Sequence, residues 1–430
     1  MIVLPSPVCL DFRFANPGFH AIMNPYNRIG EGFTMAICVY KVQSTLSQVT
    51  QDHIHDYLHA IEAELGDELR MVSMEEFAQQ DFGLVFVASG GSEGIFLSQY
   101  EQISDKPVYI LTSGESNSLA ASMEILSYLH QHGKAGEIIH GSLSHVAQRI
   151  RALQRSTAAL KQLNGAVMGV IGAPSDWLIA SSDDDAAYRA KLGLSLKHIP
   201  IEELIEEANK GGYPENEWTR QLKGKGWDAA EMEKALNVYG ALKRIVEKYG
   251  LSGVTVRCFD LLGTVKTTGC LGLAILNAEG ICAGCEGDVP SLISMAILHA
   301  VSGQPVFLCN PSRIDTANGT MVLAHCTLPI NMPSDYILKT HYESDIGVAL
   351  AATIPEETCT IFKTSNDLNR HFAKAGKIVE NLHEDCLCRT QIRLALDDFS
   401  YFLTRPINNH HLVCLGDHTA ALEQFFAQIG

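Results

Sequence analysis

In the first third of the chain, apolar residues fall in unbroken blocks rather than alternating with polar ones. "GLVFVAS" (residues 83–89) is such a block, and it predicts a strand buried on both faces. It ends in "GGSEG" and is followed by a helical stretch. "KPVYILTSG" repeats the arrangement and leads into "ESNSLAASMEILSYLHQHG", where Asn117 or Ser118 is placed to cap a helix and Gly133 to stop it. Strand, glycine-rich turn, helix and strand again predict an open parallel sheet.

A second unit of the same kind begins near residue 164. "GAVMGVIG" predicts a strand, "APSDWLIASSDDD" a loop, and "IPIEELIEEANKGG" the start of a charged helical region that runs through "AAEMEKALNVYGALKRIVEKYG". "GVTVRCFDLLG" predicts a strand, "LGLAILNAEG" a helix and "ICAGCEGD" another strand. Beyond about residue 305 the texture changes. Short apolar runs such as "TMVLAHCTL", "IGVALAATI", "TCTIFKT", "IRLALDD" and "HHLVCLGD" are separated by Pro, Asn, Asp and Gly, and the helix "HTAALEQFFAQIG" follows. The expected architecture is α/β, with two Rossmann-like open-sheet domains over residues 1–163 and 164–304 and a β-rich domain over 305–430.

Composition narrows the function. The 430 residues are 46% hydrophobic and 19% charged, as in an ordinary globular protein. A formal charge of -17 repels phosphate backbones and anionic lipid, which argues against nucleic acid and membrane as partners. The start "MIVLPSPVCLDFRF" lacks a basic leader segment, and no charge-free apolar run reaches membrane-spanning length, so a cytoplasmic location is expected. The twelve cysteines are then expected as thiols. Cys282 with Cys285 and Cys386 with Cys388 could in principle make a four-thiolate zinc site. The second spacing is tight and the separation long, and burial as small apolar residues is the better reading.

Each polar motif has a plain alternative. "GGSEG" lacks the Lys-Ser/Thr ending of a phosphate-binding loop, and a tight turn explains it. Asp183, Asp184 and Asp185 suit a solvated helix start. Ser92, Ser113 and Ser175 sit in no nucleophile-elbow pattern. "GCEGDVPSLISM" is different. Asp288, before Pro290, is placed to cap a helix, yet Glu286 and Asp288 lie where a buried strand ends, which is where sites collect in open α/β sheets. Two carboxylates against an apolar lead are costly unless a cation or strong donors neutralise them. Magnesium or manganese suits such oxygens, and a histidine would complete the set. His410 and His411 in "INNHHLVCLGD" and His325 in "LAHCTLP" are the candidates.

Together "GCEGDVPSLISM", "AHCTLP" and "NNHHLVCLGDHTAALEQFFAQIG" resemble the L-fucose isomerase / L-arabinose isomerase superfamily, in particular its shorter fucose-isomerase-like branch. The likeness covers most of residues 165–430 in motif order, and "CEGDV" before an apolar helix is its most specific piece. It implies two α/β domains followed by a β-rich one, a trimeric or hexameric homo-oligomer, and Mn2+-dependent aldose–ketose isomerisation of a small sugar. By that resemblance Asp288 is a metal ligand beside Glu286, His410 (with Gly416 six residues on) is another, and His325 lies near the substrate. The family's other catalytic ligand is a glutamate directly before an "AILN"-like segment, where this chain has Leu273. Either Asp260 in "RCFDLL" or Glu286 supplies the missing carboxylate, or the chemistry differs.

The chemistry asks for this set. Aldose–ketose isomerisation removes a proton α to a carbonyl and returns it one carbon away. A divalent cation stabilises the enediolate, and a carboxylate moves the proton. Asp260, Glu286 and Asp288 are the candidate catalytic acids, and Glu286, Asp288 and His410 the candidate ligands. His325, Arg389 and His411 are expected at the substrate. Arg389 in "CLCRTQI" would clamp an anionic, acid or sulfonated sugar, unless it is an ordinary paired surface arginine. Leu273 leaves a further alternative, a degenerate relative that binds sugar without turnover.

Overall fold

The computed structural model describes residues 36–47 and 49–430; the N-terminal stretch read for a leader lies outside them. The first sheet contains β1 (Ile37–Val42), β2 (Leu69–Met71), β3 (Gly83–Val87), β4 (Val108–Leu111) and β5 (Gly136–Ile139). All pair in parallel, in the order β2-β1-β3-β4-β5. The apolar run of β3 shows why the sheet needs two covered faces. Leu84 and Phe86 enter a core with Ile54, Ile61 and Ile150 from the helices Gln51–Leu65 and Leu143–Leu163. Val85 and Val87 enter a second core, with Phe96 and Ile125 from the helices Glu93–Tyr100 and Ser118–Gln131. Successive strand residues point to opposite faces, so a continuous apolar run is what a doubly covered strand requires.

The second parallel sheet is built from β6 (Val167–Ile171), β7 (Ser195–Ile199), β8 (Gly253–Val256) and β9 (Cys282–Cys285), in the order β7-β6-β8-β9. From β6 the chain first adds β7 on one side and then β8 and β9 on the other. The strand order therefore reverses beside β6, where a crevice opens at the carboxyl ends. Its three helices between β7 and β8, Ile201–Lys210, Glu217–Gly224 and Ala229–Tyr249, divide what the sequence presents as one charged region.

The remainder is β-rich, and more closed than the sequence implies. It holds β10 (Phe307–Asp315), β11 (Thr320–His325), β12 (Asp335–Lys339), β13 (Ala349–Thr353), β14 (Thr358–Thr364), β15 (His371–Leu382), β16 (Thr390–Ala395) and β17 (His411–Leu415). Six of them form a closed antiparallel barrel, β10-β11-β16-β15-β14-β17, and β12 pairs with β13 separately. Closure removes the sheet edges that an open antiparallel layer would leave to aggregate. One hydrophobic core joins Val256 and Leu292 of the second sheet's layer to Phe307, Phe362, Leu412 and Phe425 of the barrel layer. The change near residue 304 is thus a change of architecture within a shared core. No helix among the described residues is long and apolar enough to cross a membrane.

Candidate functional site

The strand β9 is wholly buried and ends in the turn Glu286-Gly287-Asp288, which starts the helix Val289–Ser302. Glu286 and Gly287 both adopt left-handed backbone, at φ of 63° and 70°. A side chain at Gly287 would run into the Ala173 carbonyl oxygen, so glycine is required there. Glu286 holds the same conformation without that freedom, and such strain concentrates where a side chain must be aimed. Asp288 caps the helix: its Oδ1 accepts from Ser291 N at 2.9 Å. The plain reading of Asp288 as a cap and the chemical reading of it are both realised in one residue.

Beyond the cap, Asp288 Oδ2 accepts from Ser291 Oγ at 2.7 Å and lies 2.7 Å from His410 Nδ1. His410 comes from just before β17, 122 positions along the chain. Its ring is fully buried, and its Nε2 has no hydrogen-bond partner. That nitrogen lies 3.5 Å from Glu286 Oε1, too far for a good hydrogen bond. His325, at the end of β11, brings its Nε2 to 3.8 Å from the same oxygen and 3.5 Å from Cys285 Sγ, with its Nδ1 fixed by Thr327 Oγ1 at 3.0 Å. Cys285, Glu286 and His325 present donor atoms all within 4.8 Å of one another, as a group able to hold a metal ion.

A fully buried lysine backs this cluster. Lys363, on β14, donates to Ser291 Oγ at 2.6 Å, and the hydroxyl passes the polarity on to Asp288. The electrostatics follow from burial and pairing together. Burial works against ionisation of Asp288, but the Lys363 charge and the His410 bond win and hold its carboxyl well below the usual range. Glu286 behaves alike, with burial outweighed by His325 and His410. Burial also opposes charge on His410, yet its two carboxylates push it up to about 9. His325 goes the other way, lowered by burial.

The residues fit a divalent cation on three grounds. An orphaned imidazole nitrogen, a carboxylate oxygen and a second imidazole converge. Once His410 gives up its proton, as a metal-binding imidazole must, two anions face one buried ammonium. The His410 Nδ1–Asp288 contact is the carboxylate–histidine arrangement that orients a metal-binding ring. In this geometry Asp288 stands behind the imidazole, and Glu286 Oε1 lies 3.5 Å from His410 Nε2 and 3.8 Å from His325 Nε2.

The other expected residues lie apart from this point. Asp260 pairs with Arg257 at 3.2 Å, at the mouth of a neighbouring cavity of about 470 Å³ that also touches Gly172, His198 and Ile201. None of the converging donors lines that cavity. His411 turns to the opposite side of its strand, its Nδ1 bonded to Asn409 O and its Nε2 to Tyr401 Oη, each at 3.0 Å. Leu273 is buried in the helix Cys270–Ala278. Arg389 is half on the expected path. It donates to Thr340 O at 2.8 Å and lies 3.6 Å from Asp345, with its charge felt by His341. Cys282 and Cys285 are buried in β9 while Cys386 is exposed, so the two pairs do not assemble.

Several residues carry no sequence signal strong enough to single them out. Trp177 donates its indole N–H to Glu286 Oε2 at 2.6 Å. Its ring meets Phe259 edge-on at 4.9 Å, and Phe259 meets His341 in turn at 5.7 Å. His341 is lowered to about 4, first by burial and then by His325. Glu343 is raised by burial and by the Glu286 charge. Lys363 is the one with a legible hint, a lone charge inside the apolar run "TCTIFKT".

No family model matches the chain. It is 23% identical over 265 residues to sulfoquinovose isomerases of Priestia aryabhattai and of Priestia megaterium (strain ATCC 12872 / QMB1551), covering 58% of this chain and 59% of each relative. It is 27% identical over 190 residues to a sulfoquinovose isomerase of Clostridium sp. (strain MSTE9), covering 42% of each. The match thus spans under two thirds of the curated relatives' length, and what it shows is distant similarity to proteins named for isomerising a sulfonated sugar.

Proposed function

We propose that this protein is a divalent-metal-dependent aldose–ketose isomerase whose substrate is a small sulfonated sugar. One observation carries the reading: Glu286, His325 and His410, from separate parts of the chain, converge on one buried point with an unpartnered imidazole nitrogen facing it. The distant relatives named sulfoquinovose isomerase support the substrate class. The cation, taken as Mn2+ or a similar hard-to-borderline ion, supplies Lewis-acid polarisation of the open-chain sugar's carbonyl.

The chain's own residues do the rest. Asp288 holds His410 with Nδ1 protonated, so that Nε2 faces the ion position. Ser291 and Lys363 keep Asp288 ionised. Thr327 orients His325 in the same way. Glu343, its carboxyl raised by partial burial and by the Glu286 charge while 52% of the side chain stays open to solvent, is placed to carry the proton between the two carbons, with His341 Nε2 at 4.0 Å beside it. Glu343 is preferred here to Asp260, which pairs with Arg257 at 3.2 Å. Arg389, whose side chain is 12% exposed, offers its guanidinium to the sulfonate. A homo-oligomer remains the expected assembly.

Exchange of the sugar's C2 proton with deuterated water, followed by NMR, tests the reading. A 6-deoxy-6-sulfo-aldohexose should exchange in Mn2+ and stop exchanging in EDTA, while pentoses and unmodified hexoses exchange more slowly. Metal-dependent exchange that favours the neutral sugars would overturn the substrate class. Sugar binding without exchange would leave the degenerate binding protein suggested by Leu273.

A further inference from the structure

The loop between β6 and the helix Asp185–Leu192 is firmly held yet displays a large apolar surface. Ser175 N donates to Glu286 O at 2.8 Å, and Arg257 reaches the Pro174 carbonyl oxygen at 2.5 Å and Asp176 at 3.1 Å. At the far end, the side-chain amides of Asn366 and Asn408 both donate to Ala180 O, at 3.1 and 2.7 Å. Between these anchors Leu178 turns inward, while Trp177 stays 54% exposed. A pinned loop has no need of an exposed indole for its own stability. Exposing so large a ring forgoes hydrophobic burial, and the ring here adjoins the acid–histidine cluster.

The geometry points to Trp177 as a substrate-contacting residue: its Nε1–H holds one oxygen of Glu286, and its exposed face is the apolar platform on which the carbon chain of the sugar rests. The two halves of the indole suit the two tasks. The N–H spends its only hydrogen bond on Glu286 Oε2, which leaves Oε1 directed at His325 and His410. The ring face carries the negative side of its quadrupole, and sugar C–H bonds present positive hydrogens to it. Phe259, set at 86° against Trp177, fixes the tilt of the platform. The inference rests on the isomerase reading and adds to it the surface that orients the substrate.

Two variants separate the tasks. Trp177→Phe keeps a platform and removes the N–H; Trp177→Ala removes both. With the sulfonated aldohexose and Mn2+, Trp177→Ala should raise KM about tenfold or more, the scale of one lost aromatic contact. Trp177→Phe should leave KM within about threefold of wild type and weaken Mn2+ binding, measured by the ion's electron paramagnetic resonance in the absence of sugar. Tryptophan fluorescence of the wild type should change when that sugar is added, and the change should vanish in Trp177→Phe, which retains Trp218 and Trp227. Sugar-dependent fluorescence without turnover would uphold Trp177 while sinking the isomerase reading. Turnover in the wild type with an unaltered KM in Trp177→Ala would overturn the inference alone. So would a fluorescence response that persists in Trp177→Phe, which also serves should the alanine variant not fold.

Discussion

Replacing Lys363 by Met removes a buried ammonium while keeping an unbranched chain of similar length. The bonds from Lys363 Nζ to Ser291 Oγ and from Ser291 Oγ to Asp288 Oδ2, 2.6 and 2.7 Å, put the ammonium no farther than about 5.3 Å from the carboxylate. At an effective dielectric constant of about 20, that separation is worth roughly 3 kcal/mol. Lys363→Met therefore leaves the His410 imidazolium alone to balance Asp288, and Asp288→Asn leaves Lys363 as a buried cation without its carboxylate. The double variant carries neither charge. It should be more stable than the sum of the single losses predicts, by about 3 kcal/mol, the signature of direct coupling. The measurement is urea unfolding of metal-stripped protein for the four members of the cycle. The cation should also restore more stability to Lys363→Met than to the wild type, because it neutralises the carboxylates that the lysine no longer serves. A coupling below about 0.5 kcal/mol would refute the picture of one electrostatic unit behind His410.

Asp288→Asn should weaken Mn2+ binding about 10- to 100-fold, as loss of a carboxylate behind a metal-binding imidazole does, measured by titration calorimetry. Glu343→Gln should retain Mn2+ and lose on the order of a hundredfold in C2–H exchange, whereas Asp260→Asn should stay within a few-fold of wild type; the reverse ranking would return the proton to Asp260. Arg389→Met should raise KM for the sulfonated sugar by about tenfold or more and leave the neutral hexose unchanged. His410 titrates at about 9 in the folded metal-free protein, above its ordinary 6.5. Its contribution to stability is therefore complete below about pH 6.5 and is lost as pH rises through about 9, and urea midpoints in EDTA at pH 6, 7.5 and 9 should fall in that order. Mn2+ affinity should climb over the same range, since the proton on Nε2 competes with the ion.

The strands buried on both faces were readable because their apolar runs answer to one local rule. Leu84 to Val87 and Cys282 to Cys285 are in parallel strands as expected. Barrel closure was not readable, since it depends on Phe307 meeting Val413, and no local pattern encodes a pairing across 106 positions. Glu286, Asp288, His325 and His410 stand out through charge or imidazole in apolar surroundings. Trp177 and Glu343 look like ordinary loop residues and gain meaning only from what the fold sets beside them. The Asp260 proposal shows the converse. Its sequence context is suggestive, and the fold sets it 3.2 Å from Arg257, three positions earlier on the same turn, a pairing no local pattern announced.

The 122-residue separation between Asp288 and His410 has a consequence for synthesis. At about 5–20 residues per second, the ribosome needs roughly 6–24 s to pass from one to the other. Throughout that interval the nascent strand end exposes its two acids with neither the lysine's full enclosure nor the histidine's ring. An ion captured then would find only the loose oxygen donors that any hard cation satisfies. The imidazoles that discriminate among ions arrive with the barrel, so on the proposed reading selection of the metal belongs to the finished molecule and not to the growing one.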